Sequence, residues 1–301
     1  TFVSADPTVP GIDPESLWKW LGNWEAKTGG QVLAIPHNGN LSNGQMFESK
    51  RFNGQPITKQ WAEERARWEP LVEVFQIKGT SETHPSLSPN DEFASFGIWD
   101  TANLNGVVKK DGDLQGEYLR EALKTGLRLQ TEFGVNPFKY GMAAGSDTHN
   151  SLATGGEEGN FWGKFVADQP SPKRWDHVMF KQQDGFKRLG WTQVAAGITG
   201  VWATANTREA LWDAMKRKET YASSGPRLSV RFFGGYDFTD KDADPASLAA
   251  SGYARGVPMG GDLRAAPAGK PPTFLFAAMK DPQGANLDRA QITKGWVDDK
   301  G

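Results

Sequence analysis

The chain has 301 residues, enough to bury a sizeable core in one large or two ordinary domains. Its net charge of −2 gives no global pull toward nucleic acid or an anionic membrane. The absence of cysteine excludes disulfides and thiolate metal sites, and no apolar run is long enough to span a bilayer.

Thr1 opens the chain without a methionine or a clear first element, and a piece of a longer protein is the expectation. Asp13-Pro14-Glu15 starts a helix: a capping acid, a proline at the first helical position, then an acid near the positive end. Leu17, Leu21 and Trp24 recur at helical spacing, and Gly29-Gly30 ends the run. Gln31 to Ile35 reads as a short buried strand leading into Pro36-His37-Asn38-Gly39. A second helix runs from Thr58 through Trp61, Arg65 and Trp68 and stops before Pro70. Leu71 to Gly79 is the next strand, followed by a polar loop from Thr80 containing Glu82 and His84.

A third helix spans about Glu117 to Phe133, closed by Gly134, and a strand begins at Tyr140. Helix, strand and polar loop thus recur three times, which predicts an α/β architecture of parallel strands with helices outside. The glycine-rich, aromatic loop from Gly155 to Phe165 follows the third strand and is expected to border any site there as a partial lid. Thr207 caps a further helix that ends in Lys216-Arg217-Lys218. From Pro226 the pattern changes to alternating strands, such as Leu228 to Phe232, Thr273 to Phe276 and Ala290 to Val297. Two regions are therefore expected, 1–225 and a β-rich 226–301.

Sites in parallel α/β folds gather at the C-terminal ends of strands, where the following loops converge. Three strand ends here offer His37, Glu73 or Gln76, and the pair Asp147 and His149. A carboxylate and an imidazole two apart on a strand face the same side and can share a divalent cation, or act as a base and its orienter. Mixed imidazole and carboxylate donors suit zinc, manganese or iron. The plainer alternatives are a turn hydrogen bond for His37 and a solvent-facing edge position for Glu73. His84 is open between ligand, acid/base and exposed loop residue, and His177, which follows no strand, is read as structural.

The stretches Ile35-Pro-His-Asn-Gly-Asn-Leu-Ser42, Glu73 to Pro85, Gly145-Ser-Asp-Thr-His-Asn150 and Glu219 to Arg227 together resemble an uncharacterised branch of the PHP (polymerase and histidinol phosphatase) superfamily. The resemblance implies a distorted βα barrel, here incomplete at its N-terminus and followed by the β-rich region. It also implies up to three divalent metals, with His37, Asp147 and His149 as ligands and Glu73 as a further one. The superfamily's opening His-x-His motif does not occur in this sequence.

Two functions follow as expectations. The first is a metal-dependent hydrolase of small anionic phosphoesters or related oxyanion esters, using zinc, manganese or iron to activate water, with His84 or Glu82 steering the leaving-group proton. The second is a non-catalytic binding or assembly module on a degenerate barrel. Neither a nucleic-acid partner nor an oligomeric state is indicated. Lack of cysteine with abundant tryptophan and glycine is compatible with a periplasmic or secreted location.

Overall fold

A computed structural model describes residues 13–150, 156–157, 160–161, 176–267 and 269–298. Helix α1 (Pro14–Thr28) starts where Asp13 accepts from the Glu15 amide at 2.9 Å and ends at Gly29, whose φ of 68° only glycine adopts freely. Helix α2 (Lys59–Trp68) is capped by the Thr58 hydroxyl, which accepts from the Trp61 amide. Strand β1 (Leu71–Gln76) follows, then the two-residue β2 (Gly79–Thr80), helix α3 (Leu119–Phe133) and strand β3 (Gly141–Ala144). β1 pairs in parallel with β3 and antiparallel with β2.

The main core lies between this sheet and the helices. Trp18 of α1 meets Trp61 of α2 edge-on at 5.5 Å, and Phe138 packs against both Trp61 and Phe47. Inside this aromatic shell sits the guanidinium of Arg65, paired with Glu69 at 2.9 Å and stacked on Phe138. Trp18 Nε1 donates to Glu69, and Arg65 donates to Tyr140 Oη and the Met46 carbonyl, bonds that offset the cost of burying the charges.

The remaining strands pair as hairpins. Short β4 (Gly156–Glu157) and β5 (Asn160–Phe161) pair with each other; the rest of the proposed lid, 155–165, lies outside the described residues. β6 (Val178–Lys181) pairs with β7 (Lys187–Leu189). β8 (Ile198–Val201) pairs with β9 (Thr220–Ser223) across helix α4 (Arg208–Lys216). Strand β10 (Ser229–Gly235) forms the centre of a separate antiparallel sheet with β11 (Gly256–Pro258) and β12 (Thr273–Met279), one face of it covered by helix α5 (Leu248–Arg255).

The expected barrel is absent: the described strands form small sheets and none closes. β1 and β3 are the sole parallel pair among the described residues. The free edge of β3 is met by the β8–β9 hairpin, with Thr199 Oγ1 bridging the Ala144 amide and carbonyl, so no further βα unit continues the sheet. The expected strand at Gln31–Ile35 is not formed; the segment has no regular secondary structure. It makes isolated bonds to Trp68 and, through the Pro36 carbonyl, to Glu73; Pro36 has no N–H with which to carry a ladder onward. The segment 290–297 likewise forms no strand.

Candidate functional site

The C-terminal ends of β1 and β3 lie side by side because the two strands are parallel and in contact. A bulge in β1 between Glu73 and Phe75 shifts the register there. Bulges of this kind re-aim side chains and recur beside functional sites. Glu73 is half-buried, and its Oε1 accepts a long bond from the Asn38 amide at 3.4 Å. Burial pushes its carboxyl up, opposed by the neighbouring His37, the Asn38 amide, Gln76 and Lys78. Gln76 Nε2 donates to Asn38 Oδ1 at 2.7 Å, holding the His37–Asn38 turn against the strand end.

Beyond β3 the chain turns sharply. Asp147 and His149 have φ of 52° and 54°, and Asn38 across from them has 61°. Three of the five non-glycine residues with left-handed backbone among the described residues thus border one place, and such strain is tolerated where the surroundings fix it. His149 Nε2 donates to Asp147 Oδ1 at 2.6 Å, while Lys78 Nζ bonds Asp147 Oδ2. Lys78 and Asp147 are largely buried and His149 is half-exposed.

These groups open onto a cavity of about 350 Å³ lined by His37, Asn38, Lys78, Asp147 and His149. Its other wall comes from Leu41, the loop 99–104 and the β6–β7 hairpin, including Arg188. Lys78 and Arg188 are the site residues that the sequence reading missed. Lys78 had a local signal, an ammonium on the same alternation as Gln76 at the end of an apolar strand. Arg188 had none, since its hairpin reaches the strand ends only through tertiary packing.

His84 and Glu82 do not line this cavity. His84 is buried, donating from Nε2 to Asp100 at 3.0 Å and accepting at Nδ1 from the Ser86 amide at 3.1 Å. With both ring nitrogens engaged, it is arranged to hold the loop. Glu82 pairs with Arg120 at 2.6 Å on a separate surface cleft. The His177 carbonyl accepts from the Gly190 amide at 2.9 Å, beside the β6–β7 hairpin.

By donor chemistry His37, Glu73, Asp147 and His149 fit a divalent cation of the zinc or manganese kind. His37 interacts with Glu73 and Asp147 with His149, Glu73 does not line the cavity, and among the described residues no three carboxylates or imidazoles form a ligand group. The positive charge against Asp147 is supplied by Lys78 Nζ.

A family model described as "Protein of unknown function (DUF3604)" matches residues 3–301. No PHP family model matches, which overturns the resemblance drawn from the motifs around His37, Glu73 and Asp147. Short strand-end motifs of this kind report local chemistry and can stand in unrelated frameworks. No curated protein and no solved structure matches the chain.

Proposed function

Since the chain belongs to the DUF3604 family, whose description names no activity, we propose its function from the cavity: hydrolysis of small anionic esters, phosphoesters or related oxyanion esters. The observation that supports this most is the Lys78–Asp147–His149 array on left-handed backbone, in the same cavity as His37. Asp147 and His149, with His37 and Glu73 beside them, would hold a divalent cation, which supplies an activated water and polarises the ester. Lys78 and Arg188 neutralise the substrate's negative charge, an interaction strengthened by their partial burial. Asp147 Oδ1 accepts from His149 Nε2 and Oδ2 from Lys78 Nζ, bonds that a cation held by Asp147 and His149 would replace.

The test is hydrolysis of an activated aryl phosphate by protein stripped with a chelator and then resupplied with zinc or manganese, read beside metal content by mass spectrometry. Activity should return with metal, and Asp147→Asn should reduce it by roughly 10- to 100-fold, the usual effect of disturbing a metal's ligand environment. Asn keeps an acceptor oxygen for Lys78 but takes the Asp147 counter-charge from the buried ammonium, so the variant's thermal midpoint should fall, and activity is compared at a temperature where both proteins are folded. Full activity in Asp147→Asn would remove Asp147 from the chemistry.

A second reading rests on the Lys78 ammonium seated on Asp147 and on the two-by-two grouping of the donors. In it the cavity binds a small anion without turning it over. Metal-free, inactive protein that still binds the aryl phosphate would favour this reading.

A further inference from the structure

Apart from Arg188, the cavity's second wall has no part in the chemistry proposed above, and its composition differs from that of the strand ends. Among the described residues it is made of Leu41, Trp99, Ala102, Leu104, Met179 and Phe180, with Thr101 and Arg188 as its polar members. Trp99 is buried, and its indole N–H is already spent on the Thr192 carbonyl at 3.1 Å. The Thr101 hydroxyl accepts from Gln182 Nε2 and, weakly, from Arg188. The Arg188 guanidinium lies over the Trp99 ring at 5.0 Å and over Phe186 at 5.5 Å. This wall is held rigidly: Asn40 Nδ2 donates to the Trp99 carbonyl, and Gly106 and Gln183 bond across to the hairpin.

We infer that the cavity takes an oxyanion whose organic part is a flat, apolar group of one or two aromatic rings. The anion sits at Lys78 and the imidazoles, and the ring lies along Trp99, Leu104 and Phe180. A hydroxyl-rich body such as a sugar matches this wall poorly. Each of its hydroxyls would lose water without gaining a partner, at a penalty of roughly tenfold in affinity apiece. An aromatic ring loses nothing there and gains apolar burial and edge or face contacts. The volume of about 350 Å³ lies near the lower end of ordinary ligand pockets, which suits a short-bodied molecule. The word "ester" in the substrate rests on the hydrolase reading; the ligand class does not.

The test is calorimetric titration of the full chain with two non-hydrolysable probes, 1-naphthylphosphonate and methylphosphonate. The naphthyl probe should bind at least roughly tenfold more tightly. Leu104→Ser, at a half-exposed position that the fold tolerates, and Phe180→Ala should each lower naphthyl affinity by about 3- to 10-fold and leave methylphosphonate binding unchanged. Equal binding of the two probes, or naphthyl binding indifferent to both substitutions, would overturn the inference. So would faster turnover of a sugar phosphate than of an aryl phosphate, an outcome that keeps the hydrolase. Naphthyl binding with the expected losses but no turnover of any ester sinks the hydrolase reading and leaves the inference standing.

Discussion

Asp147 and His149 each hold a left-handed backbone that costs a residue with a Cβ about 1–2 kcal/mol, a cost offset here by the bonds among Asp147, His149 and Lys78. A second charged residue with an unusual setting is Glu117, fully buried and bonded to Lys109, which also donates to the Asn40 carbonyl. Burial pushes the Glu117 carboxyl up to about 7 from its ordinary 4.5, with Lys109 opposing. The folded state therefore holds this proton more tightly than the unfolded chain. The contribution to stability is complete below the unfolded value and is lost as pH rises through 7, a change on the order of 3 kcal/mol. Glu117→Gln, which cannot ionise, should flatten the fall in unfolding free energy between about pH 5 and about pH 8. Urea denaturation of both proteins across that range checks it; parallel pH profiles would show that Glu117 does not titrate there.

At the scale of elements, α3 illustrates how packing overrides propensity. Gly126 lies inside the helix, where alanine is ordinarily favoured by roughly 0.5–1 kcal/mol. A Cβ at this position would meet Asn136 Oδ1 at 2.2 Å and Phe138 Cβ at 3.1 Å. Asn136 Oδ1 is not free to move aside, because it accepts the Phe138 amide at 2.9 Å in the turn that leads into β3. Overpacking of this kind costs about 1–3 kcal/mol, so Gly126→Ala should destabilise by on the order of 1–2 kcal/mol net. An unchanged or raised thermal midpoint would mean that the helix and the 136–138 turn separate without penalty. The same turn positions β3, and through β3 the Asp147 corner.

At the scale of the whole molecule, the described residues form two apolar centres, a large aromatic one under β1 and β3 and a small one of Phe233, Leu248 and Leu275 between the C-terminal sheet and α5. They are joined by polar links. Tyr253 donates to Glu219, Trp202 Nε1 donates to the Val230 carbonyl, and Arg231 stacks on Trp202 at 3.5 Å. Phe233 is 1% exposed and sits against Gly252 and edge-on to Tyr253. Phe233→Ala should cost about 3–5 kcal/mol, concentrated in the C-terminal sheet. Because the cavity is built outside that sheet, its affinity for the aryl probe should survive the substitution under native conditions. Loss of both together, followed by calorimetry and hydrogen exchange, would show one cooperative unit.

Local chemistry in the chain was enough to mark α1 to α4: capping at Asp13, Thr58 and Thr207 and the stop at Gly134 involve neighbours within a turn, whereas α5 lies in the region read as β-rich and was missed. The strands β1, β3, β10 and β12 were legible as apolar or alternating runs, and His37, Asp147 and His149 stood out as donors after such runs. Pairing was not legible. A parallel β1–β3 pair looks the same in sequence whether its next neighbour is another βα unit or the β8–β9 hairpin, so an expected barrel gave way to small open sheets. The fate of His84 was equally hidden, since Asp100 reaches it only through the folded loop. The seating of Lys78 on Asp147 joins residues far apart in the chain, and so does the meeting of Arg188 with Trp99. Such contacts form because packing brings whole elements together, and no periodicity or spacing in a single sequence encodes which of them will touch.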